Sequence, residues 1–289
     1  MRSRKVAPQE LVGHPLGNTR WEIGEDVGPA AGDLVVPGRC RRYRSGVQQG
    51  NAGDFPRVVT FDLFSAMTDS RRGAAAAFTE IAAVRGWSVA GEELYDVWDR
   101  HNKEQQRRAA FGPSTSFRAL SRAALRLAYD QLGLDGCPEA DLDLLWRSVA
   151  RWPLWGDVED GISAVAARAA VGILSNVDDA LVVTTRAYPL VDPRWVLTSE
   201  RLEAFKPAPA IYLRALRAAP GLVHVAASAR DVRGALEAGI PTIRLVRPGH
   251  RLDPEGPAPT VEVTDARELP AAFAQLERGG QDSTRIRNG

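Results

Sequence analysis

Four short stretches of the sequence carry side chains that could work together at one reaction centre. Asp62 follows the apolar run VVTF, Ser175 and Asn176 follow VGIL, Lys206 lies in EAFKPAPA, and Asp231 follows LVHVAASAR. Together they supply a carboxylate, a hydroxyl, an amide, a cation and a second carboxylate. Such a set could serve one reaction centre that works through a carboxylate nucleophile.

Each of these residues also has a plain structural explanation when it is taken alone. Acidic residues, serine and asparagine often follow a strand because they cap the helix that comes next. An acid early in a helix is stabilised by the helix dipole, and Lys206 could lie on the surface. A reaction centre is favoured only if the fold brings the four stretches to one place.

The segments that carry these residues alternate between strand and helix patterns. Short runs of β-branched and apolar residues predict buried strands at 57–64, 171–176, 195–200, 222–228 and 242–246. Apolar residues at helical spacing predict helices at 178–187, 209–218 and 231–239. Such alternation predicts right-handed βαβ units and a parallel sheet. Ligands bind beyond the carboxyl ends of parallel strands, so the four stretches should converge there.

A different pattern separates the first predicted strand from the second. Helical spacing without an intervening strand predicts four helices at 74–87, 91–111, 117–134 and 141–152. An all-helical insertion at this place predicts a cap over an α/β core. We therefore expect a core of residues 56–70 and 156–278, a cap of residues 71–155, and disordered tails at 1–55 and 279–289.

The composition narrows the possible partners. Lys and Arg (37) nearly balance Asp and Glu (36) over 289 residues, which argues against nucleic acid or an anionic membrane as a partner. The two cysteines, Cys40 and Cys137, support neither a disulfide framework nor a zinc site. No run approaches the ~20 apolar residues of a membrane span. We expect a cytoplasmic protein with a small-molecule substrate, no nucleic-acid or membrane partner, and a possible homodimer.

The four stretches also resemble a known family. FDLFSAMTDS, ILSNVDD, LTSERLEAFKPAPAIYLRAL and HVAASARDVRGALEAGIPTIRLVRPG are similar to the four successive motifs of the haloacid dehalogenase superfamily, over about residues 57–275. The resemblance implies an α/β fold, with a Rossmann-like, doubly wound parallel-sheet core and an inserted helical cap. It further implies that Asp62 attacks the substrate and forms an aspartyl intermediate, which water then hydrolyses.

The resemblance implies a role for each of the other candidates. Lys206 would hold Asp62 ionised, and Asp231 would position Lys206 or act as base for the hydrolytic water. Ser175 and Asn176 would donate hydrogen bonds to the oxygens of the substrate. These roles are expectations carried over from the family's motifs.

The opening motif indicates a branch of the superfamily. Phosphatase members usually carry a second Asp where this chain has Phe64, and a further magnesium-side acid where it has Ala226 and Ala227. Magnesium favours carboxylate oxygens, so the sequence resembles instead the 2-haloacid dehalogenase branch, which displaces halide without metal or cofactor. In that branch Phe64 and Ser228 would contact the substrate.

Three departures from that branch leave other functions open. Ser228 stands where an asparagine is more usual. Ala66 stands where a threonine usually steadies the nucleophile, and Asp99 stands directly after a cap tryptophan where an arginine usually receives halide or carboxylate. Arg100 lies one residue, or about 100° of helix rotation, further on, and Arg107 and Arg108 are further candidates.

The alternatives are a magnesium-dependent phosphatase of a small metabolite and a weak or inactive binding protein. Phe64 argues against the first. Retention of the charged trio Asp62, Lys206 and Asp231 argues against the second, because charges are costly to bury.

Overall fold

The structure is a computed structural model that describes residues 58–110 and 115–276. These residues belong to one compact unit, Gly46–Gly289. The tails predicted at 1–55 and 279–289 lie outside the described residues, as does Phe111. The boundaries expected between core and cap stay predictions.

A parallel sheet of six strands forms the core, in the order β3-β2-β1-β4-β5-β6. The strands are β1 (Val58–Phe61), β2 (Ala170–Ser175), β3 (Val196–Thr198), β4 (Val223–Ala226), β5 (Thr242–Leu245) and β6 (Val261–Val263). The chain runs outward on both sides of β1, so the order reverses between β1 and β4. In doubly wound sheets this switch point is where ligands bind, and it lies beside Asp62 and Asp231.

Helices cover both faces of the sheet. They are α5 (Val158–Ala166), α6 (Asp179–Val182), α7 (Pro209–Ala218) and α8 (Ala229–Glu237). Leu174 in β2 points to the face that carries α7 and α8, where it packs with Ile211 and Ala235. Ile173 points to the other face and packs in the larger core with Ile162 of α5. Strands buried on both faces explain the nearly continuous apolar runs of the sequence.

The sheet differs from the sequence prediction at its margins. Strand β6 was not predicted, because three residues at the edge of a sheet, with Glu262 exposed between two buried valines, give too short a pattern. Helix α5 was not predicted either. The helix expected at 178–187 ends at Val182, and the hydroxyls of Thr184 and Thr185 donate to backbone carbonyls in the turns that follow, as threonine often does outside helices.

Between β1 and β2 the chain forms the helical cap that the sequence predicted. Its helices are α1 (Ser70–Arg85), α2 (Gly91–Ala109), α3 (Phe117–Leu132) and α4 (Pro138–Ser148). Left-handed glycines end two of them, Gly86 at φ 71° after α1 and Gly133 at φ 64° after α3, a conformation that glycine adopts without strain. In the described residues no helix is long and apolar enough to cross a membrane.

The two segments of the chain that connect the cap with the core run side by side. The backbone N–H of Asp69 donates to the carbonyl of Pro153 at 2.9 Å, and that of Trp155 donates to the carbonyl of Met67 at 3.1 Å. Thr68 and Leu154 form an antiparallel bridge between them. The cap is therefore attached through a short paired hinge that starts six residues after Asp62.

Candidate active site

A turn of π-helix directly after β1 sets the position of Asp62. The N–H of Asp62 donates to the carbonyl of Val225 in β4, and residues Leu63–Met67 then wind into the π-turn. This turn brings Ser65 back over the carboxylate. Oδ2 of Asp62 accepts from the backbone N–H of Ser65 at 2.9 Å and from its hydroxyl at 2.5 Å. Single π-turns are rare and often mark functional sites.

Lys206 lies between two buried carboxylates. Its Nζ donates to Oδ1 of Asp62 at 3.1 Å, to Oδ2 of Asp231 at 2.6 Å and to the carbonyl of Leu174 at 2.5 Å. The exposed fractions are 8% for Asp62, 3% for Lys206 and 2% for Asp231. The structure thus brings together the three residues that the sequence proposed as catalytic, although their chemical roles stay predictions.

The ammonium keeps both carboxylates ionised. Burial alone would raise the pKa of Asp62, but Lys206 and the two hydrogen bonds from Ser65 hold it below its ordinary value. Burial would also raise the pKa of Asp231, and Lys206 together with His224 holds it well below the ordinary value. Asp62 is therefore a charged carboxylate across the neutral pH range.

A second layer of side chains fixes Asp231. The hydroxyl of Tyr212 donates to Oδ1 of Asp231 at 2.9 Å, and Nε2 of His224 lies 3.2 Å from Oδ2. Nδ1 of the same imidazole lies 3.0 Å from the hydroxyl of Thr60. Nδ1 also lies 3.1 Å from the carbonyl of Thr60, and Nε2 lies 3.5 Å from Nζ of Lys206. Both oxygens of Asp231 are thus engaged with the protein.

Ser175, the last residue of β2, and Asn176, which follows it, differ in the hydrogen bonds that they make within the protein. The hydroxyl of Ser175 lies 3.3 Å from Oδ1 of Asp62. The side chain of Asn176 accepts from the backbone N–H of Lys206 at 2.7 Å and donates to the carbonyl of Lys206 at 3.0 Å and to Gln106 at 2.9 Å. The amide of Asn176 thereby holds the Lys206 loop. Asn176 also lines the cavity beside Asp62, and its contact with the substrate stays a prediction.

Asp62 opens into a small cavity of about 110 Å³ between the core and the cap. Phe64 forms part of its wall. The ring of Phe64 stacks on Phe117 with centroids 6.1 Å apart and meets Trp152 edge-on at 6.0 Å, while Trp146 stacks on the other side of Phe117. Such a wall is suited to a small molecule with an apolar part.

The position of Arg100 does not agree with its predicted contact with the substrate. The side of α2 that lines the cavity carries residues spaced three or four apart: Tyr95, Trp98, Asp99, Asn102, Lys103 and Gln106. Arg100 is exposed and lies off this face, because each residue turns the helix by about 100°. Arg107 and Arg108 are exposed as well and pair with Glu104.

Several residues that line the cavity were not singled out from the sequence. Ser65 has no motif signal. His224, which contacts Asp231 but does not line the cavity, was also missed because it lies inside a strand that reads as apolar. Arg230 in the first turn of α8 and His250 after β5 also line the cavity, as does the predicted contact Ser228. Of these missed residues, only Arg230 had a signal in the sequence, because it is a charged residue just beyond the end of a predicted strand.

The donor set does not suit magnesium. The described residues contain no group of three or more His, Cys, Asp or Glu side chains that could hold a metal ion. The positions where an additional acid would serve are filled by Phe64, Ala226 and Ala227, and both alanines are fully buried. Asp62 and Asp231 are bound to Lys206 instead of facing an open site of oxygen ligands.

Comparison with known proteins finds relatives by structure and none by sequence. No model of a protein family and no curated protein matches the sequence. The L-2-haloacid dehalogenase RSc1362 superposes with a TM-score of 0.65 and 26% identity, over 77% of this chain and 99% of that one. The defluorinating L-2-haloacid dehalogenase Rha0230 gives 0.65 and 25%, over 76% and 95%.

A third structure shares the fold. The L-2-haloacid dehalogenase from Xanthobacter autotrophicus, solved with chloropropionic acid covalently bound, superposes with a TM-score of 0.64 and 20% identity, over 75% of this chain and 97% of that one. The covalent adduct belongs to that protein.

The fold therefore defines a class. This chain has the fold of the haloacid dehalogenase superfamily, with its Rossmann-like α/β core and inserted helical cap. Within the superfamily, the resemblance to the 2-haloacid dehalogenase branch is confirmed by the structures that superpose on the chain.

Proposed function

We propose that this chain hydrolyses short 2-haloacids without a metal ion, with the carboxylate of Asp62 as nucleophile. The observation that carries the proposal is the environment of Asp62. The carboxylate is held ionised by the Lys206 ammonium, and the residue two positions on is Phe64, part of an aromatic wall. A leaving group that needs a proton would find no acid there, whereas a halide leaves as a stable anion.

The first step is a displacement at carbon. An oxygen of Asp62 attacks the carbon that carries the halogen, a carbon–oxygen bond forms, and the carbon–halogen bond breaks with its electron pair on the halide. No proton is transferred in this step. The small aromatic cavity limits water around the nucleophile, which makes the carboxylate more reactive than it would be in solution.

The second step releases the product. Water attacks the carbonyl carbon of the Asp62 ester, and the bond between that carbon and the hydroxyacid oxygen breaks. One proton of the water ends on the departing oxygen of the 2-hydroxyacid and the other is released to solvent, which leaves Asp62 as a carboxylate again. Lys206 faces the charge on Asp62 at the beginning and at the end of the cycle. Because Tyr212, His224 and Lys206 engage both oxygens of Asp231, we assign Asp231 chiefly to holding Lys206 in place.

The test is a substrate panel with an inactivated nucleophile. Short chlorinated and brominated 2-haloacids should release halide equally well with EDTA or with added magnesium. Asp62→Asn should lower the rate about 10⁴-fold or more, as loss of a covalent nucleophile does in other hydrolases. Asp96→Asn is the matched control, because Asp96 is an exposed cap acid paired with Arg71.

Two outcomes would contradict the proposal. Magnesium-dependent release of phosphate from a small phosphate ester, with no halide from any haloacid, would favour the phosphatase alternative. No turnover of either kind, with an Asp62→Asn variant as stable as the parent, would favour a binding protein.

A further inference from the structure

The cavity contains one arginine among the residues that the structure describes, and it comes from the core. Arg230 is the second residue of α8, is partly buried, and lines the same cavity as Asp62. Its Nη2 donates to Oε1 of Gln106 at 3.2 Å and its Nη1 donates to the carbonyl of Lys103 at 3.4 Å. Guanidinium has five N–H donors, so most of its hydrogen-bonding capacity is unused.

The charge of Arg230 is also not neutralised by any described residue. Both of its acceptors are neutral oxygens, and no carboxylate lies within ion-pair distance of its guanidinium in the described part of the chain. By contrast Arg233, one turn later in the same helix, pairs with Glu237 at 2.7 Å and Asp253 at 2.9 Å. A partly buried guanidinium without an anion is costly to maintain.

Helix stability does not explain the arginine either. A positive side chain in the first turn faces the positive end of the helix dipole, which is unfavourable by a few tenths of a kcal/mol or more. A cation at this position therefore makes α8 less stable. A bound anion would be attracted by both the guanidinium and the helix dipole.

The guanidinium is held in a fixed relation to the reaction centre. Gln106, which accepts from Arg230, also accepts from the side chain of Asn176. Asn176 in turn binds both the backbone N–H and the carbonyl of Lys206. Ser228, two residues before Arg230, faces the cavity with a hydroxyl that has no hydrogen-bond partner in the described residues.

We propose that Arg230 binds the carboxylate of the substrate and so restricts the substrate class to short, negatively charged acids. This assignment rests on the proposed function, because it orients a 2-haloacid relative to Asp62. The planar fork of a guanidinium matches a carboxylate in two parallel hydrogen bonds. Arg230 thus provides, from the core, the positive group that Arg100 does not provide from the cap.

The test measures binding and needs no turnover. Propionate and uncharged propionamide are titrated by calorimetry into the wild-type protein, Arg230→Gln and Arg100→Gln. We expect Arg230→Gln to weaken propionate binding about tenfold to a hundredfold, the range for a lost hydrogen bond to a charged group, and to leave propionamide binding unchanged. Arg100→Gln removes the same charge from an exposed site and should bind propionate like the wild type.

The outcomes separate this proposal from the proposed reaction. Three results would overturn the role of Arg230. The first is equal propionate binding by Arg230→Gln and the wild type, the second is an equal loss of binding in Arg230→Gln and Arg100→Gln, and the third is no propionate binding to the wild type. Arg230→Lys keeps the charge without the planar fork of the guanidinium and should recover part of the affinity for propionate. Circular dichroism would show whether Arg230→Gln has lost its fold. In that case the affinity of Arg230→Lys for propionate decides whether Arg230 has the proposed role. Selective loss in Arg230→Gln without halide release from any haloacid supports the carboxylate site and contradicts the dehalogenation.

Discussion

Asp62 is a buried charge as well as the reactive group of the proposed chemistry, and its neighbours serve both needs. Each of its oxygens accepts hydrogen bonds, Oδ1 from Lys206 and Ser175 and Oδ2 from the N–H and hydroxyl of Ser65. Burial of an ion is tolerated when its lone pairs are satisfied and a counter-ion is close. The same contacts hold the carboxylate in one orientation toward the cavity.

Ser65 supplies a hydroxyl where Ala66 appeared to remove one from the site. We predict that Ser65→Ala lowers kcat/KM for halide release about tenfold, because a hydrogen bond to a charged group contributes ~1.5–3 kcal/mol and the backbone N–H of residue 65 remains. Steady-state halide release measures the effect. Ser163→Ala, an exposed serine in α5, is the control, and an unchanged rate in Ser65→Ala would contradict the role.

At this scale the sequence revealed the residues that follow strand ends and missed those that reach the site in other ways. Lys206 and Asp231 could be placed near Asp62 because parallel strands end at one edge. Ser65 reaches the carboxylate through a π-turn that has no sequence signature. His224 reaches Asp231 from within β4, where a single polar residue between valines gives no sign of its partner.

At the scale of elements, Arg247 connects the π-turn Leu63–Met67 to the chain that joins the cap to the core. Its guanidinium donates to the carbonyl of Ala66 at 3.0 and 3.2 Å and pairs with Asp157 at 2.8 Å. The same group lies over the ring of Trp155, 5.2 Å from its centroid, and the indole N–H of Trp155 donates to the carbonyl of Ser65. One buried arginine thereby ties the loop after β5 to the π-turn and to the chain leaving the cap.

We predict that Arg247→Met lowers the free energy of unfolding by about 3–5 kcal/mol, since it leaves Asp157 as a buried charge without its partner. Urea denaturation measures the loss. Arg194→Met is the matched control, because Arg194 pairs with Asp192 while 79% of its side chain is exposed, and such surface pairs contribute ~1 kcal/mol or less. Equal effects in the two variants would contradict the account.

Helices and strands could be predicted from the sequence where their apolar pattern extends over enough residues. Helix α7 was predicted at 209–218 and is found there, since a proline start and a regular apolar face define it. The existence of α2 was predicted, but which of its residues line the cavity was not, and Arg100 lies off that side. Rotation of a helix depends on packing that a single sequence does not encode locally.

For the whole molecule, the buried charges predict how stability depends on pH. In the folded protein the pKa values of Asp62 and Asp231 lie below the ordinary value of 3.8. Between the folded and unfolded pKa values the unfolded chain binds more protons, so the free energy of unfolding rises with pH there. The stabilisation is fully present above roughly pH 5 and is lost as the pH falls through the lower, folded values.

Urea denaturation over a series of pH values tests this directly. The wild-type protein should lose stability steeply below about pH 4, and Asp231→Asn should show a shallower dependence in the same range because one of the two carboxylates is gone. An identical pH dependence in the two proteins would contradict the assignment. Whether the protein forms a homodimer stays a prediction.

The central claim is that Asp62 bonds covalently to the substrate and is freed by water. The most direct measurement is turnover of a short 2-haloacid in water enriched in heavy oxygen, followed by mass spectrometry of the peptide that contains Asp62. The account predicts that heavy oxygen enters the carboxylate of Asp62, because water attacks the carbonyl carbon of the ester. Heavy oxygen in the hydroxyacid after a single turnover, with Asp62 unlabelled, would contradict it.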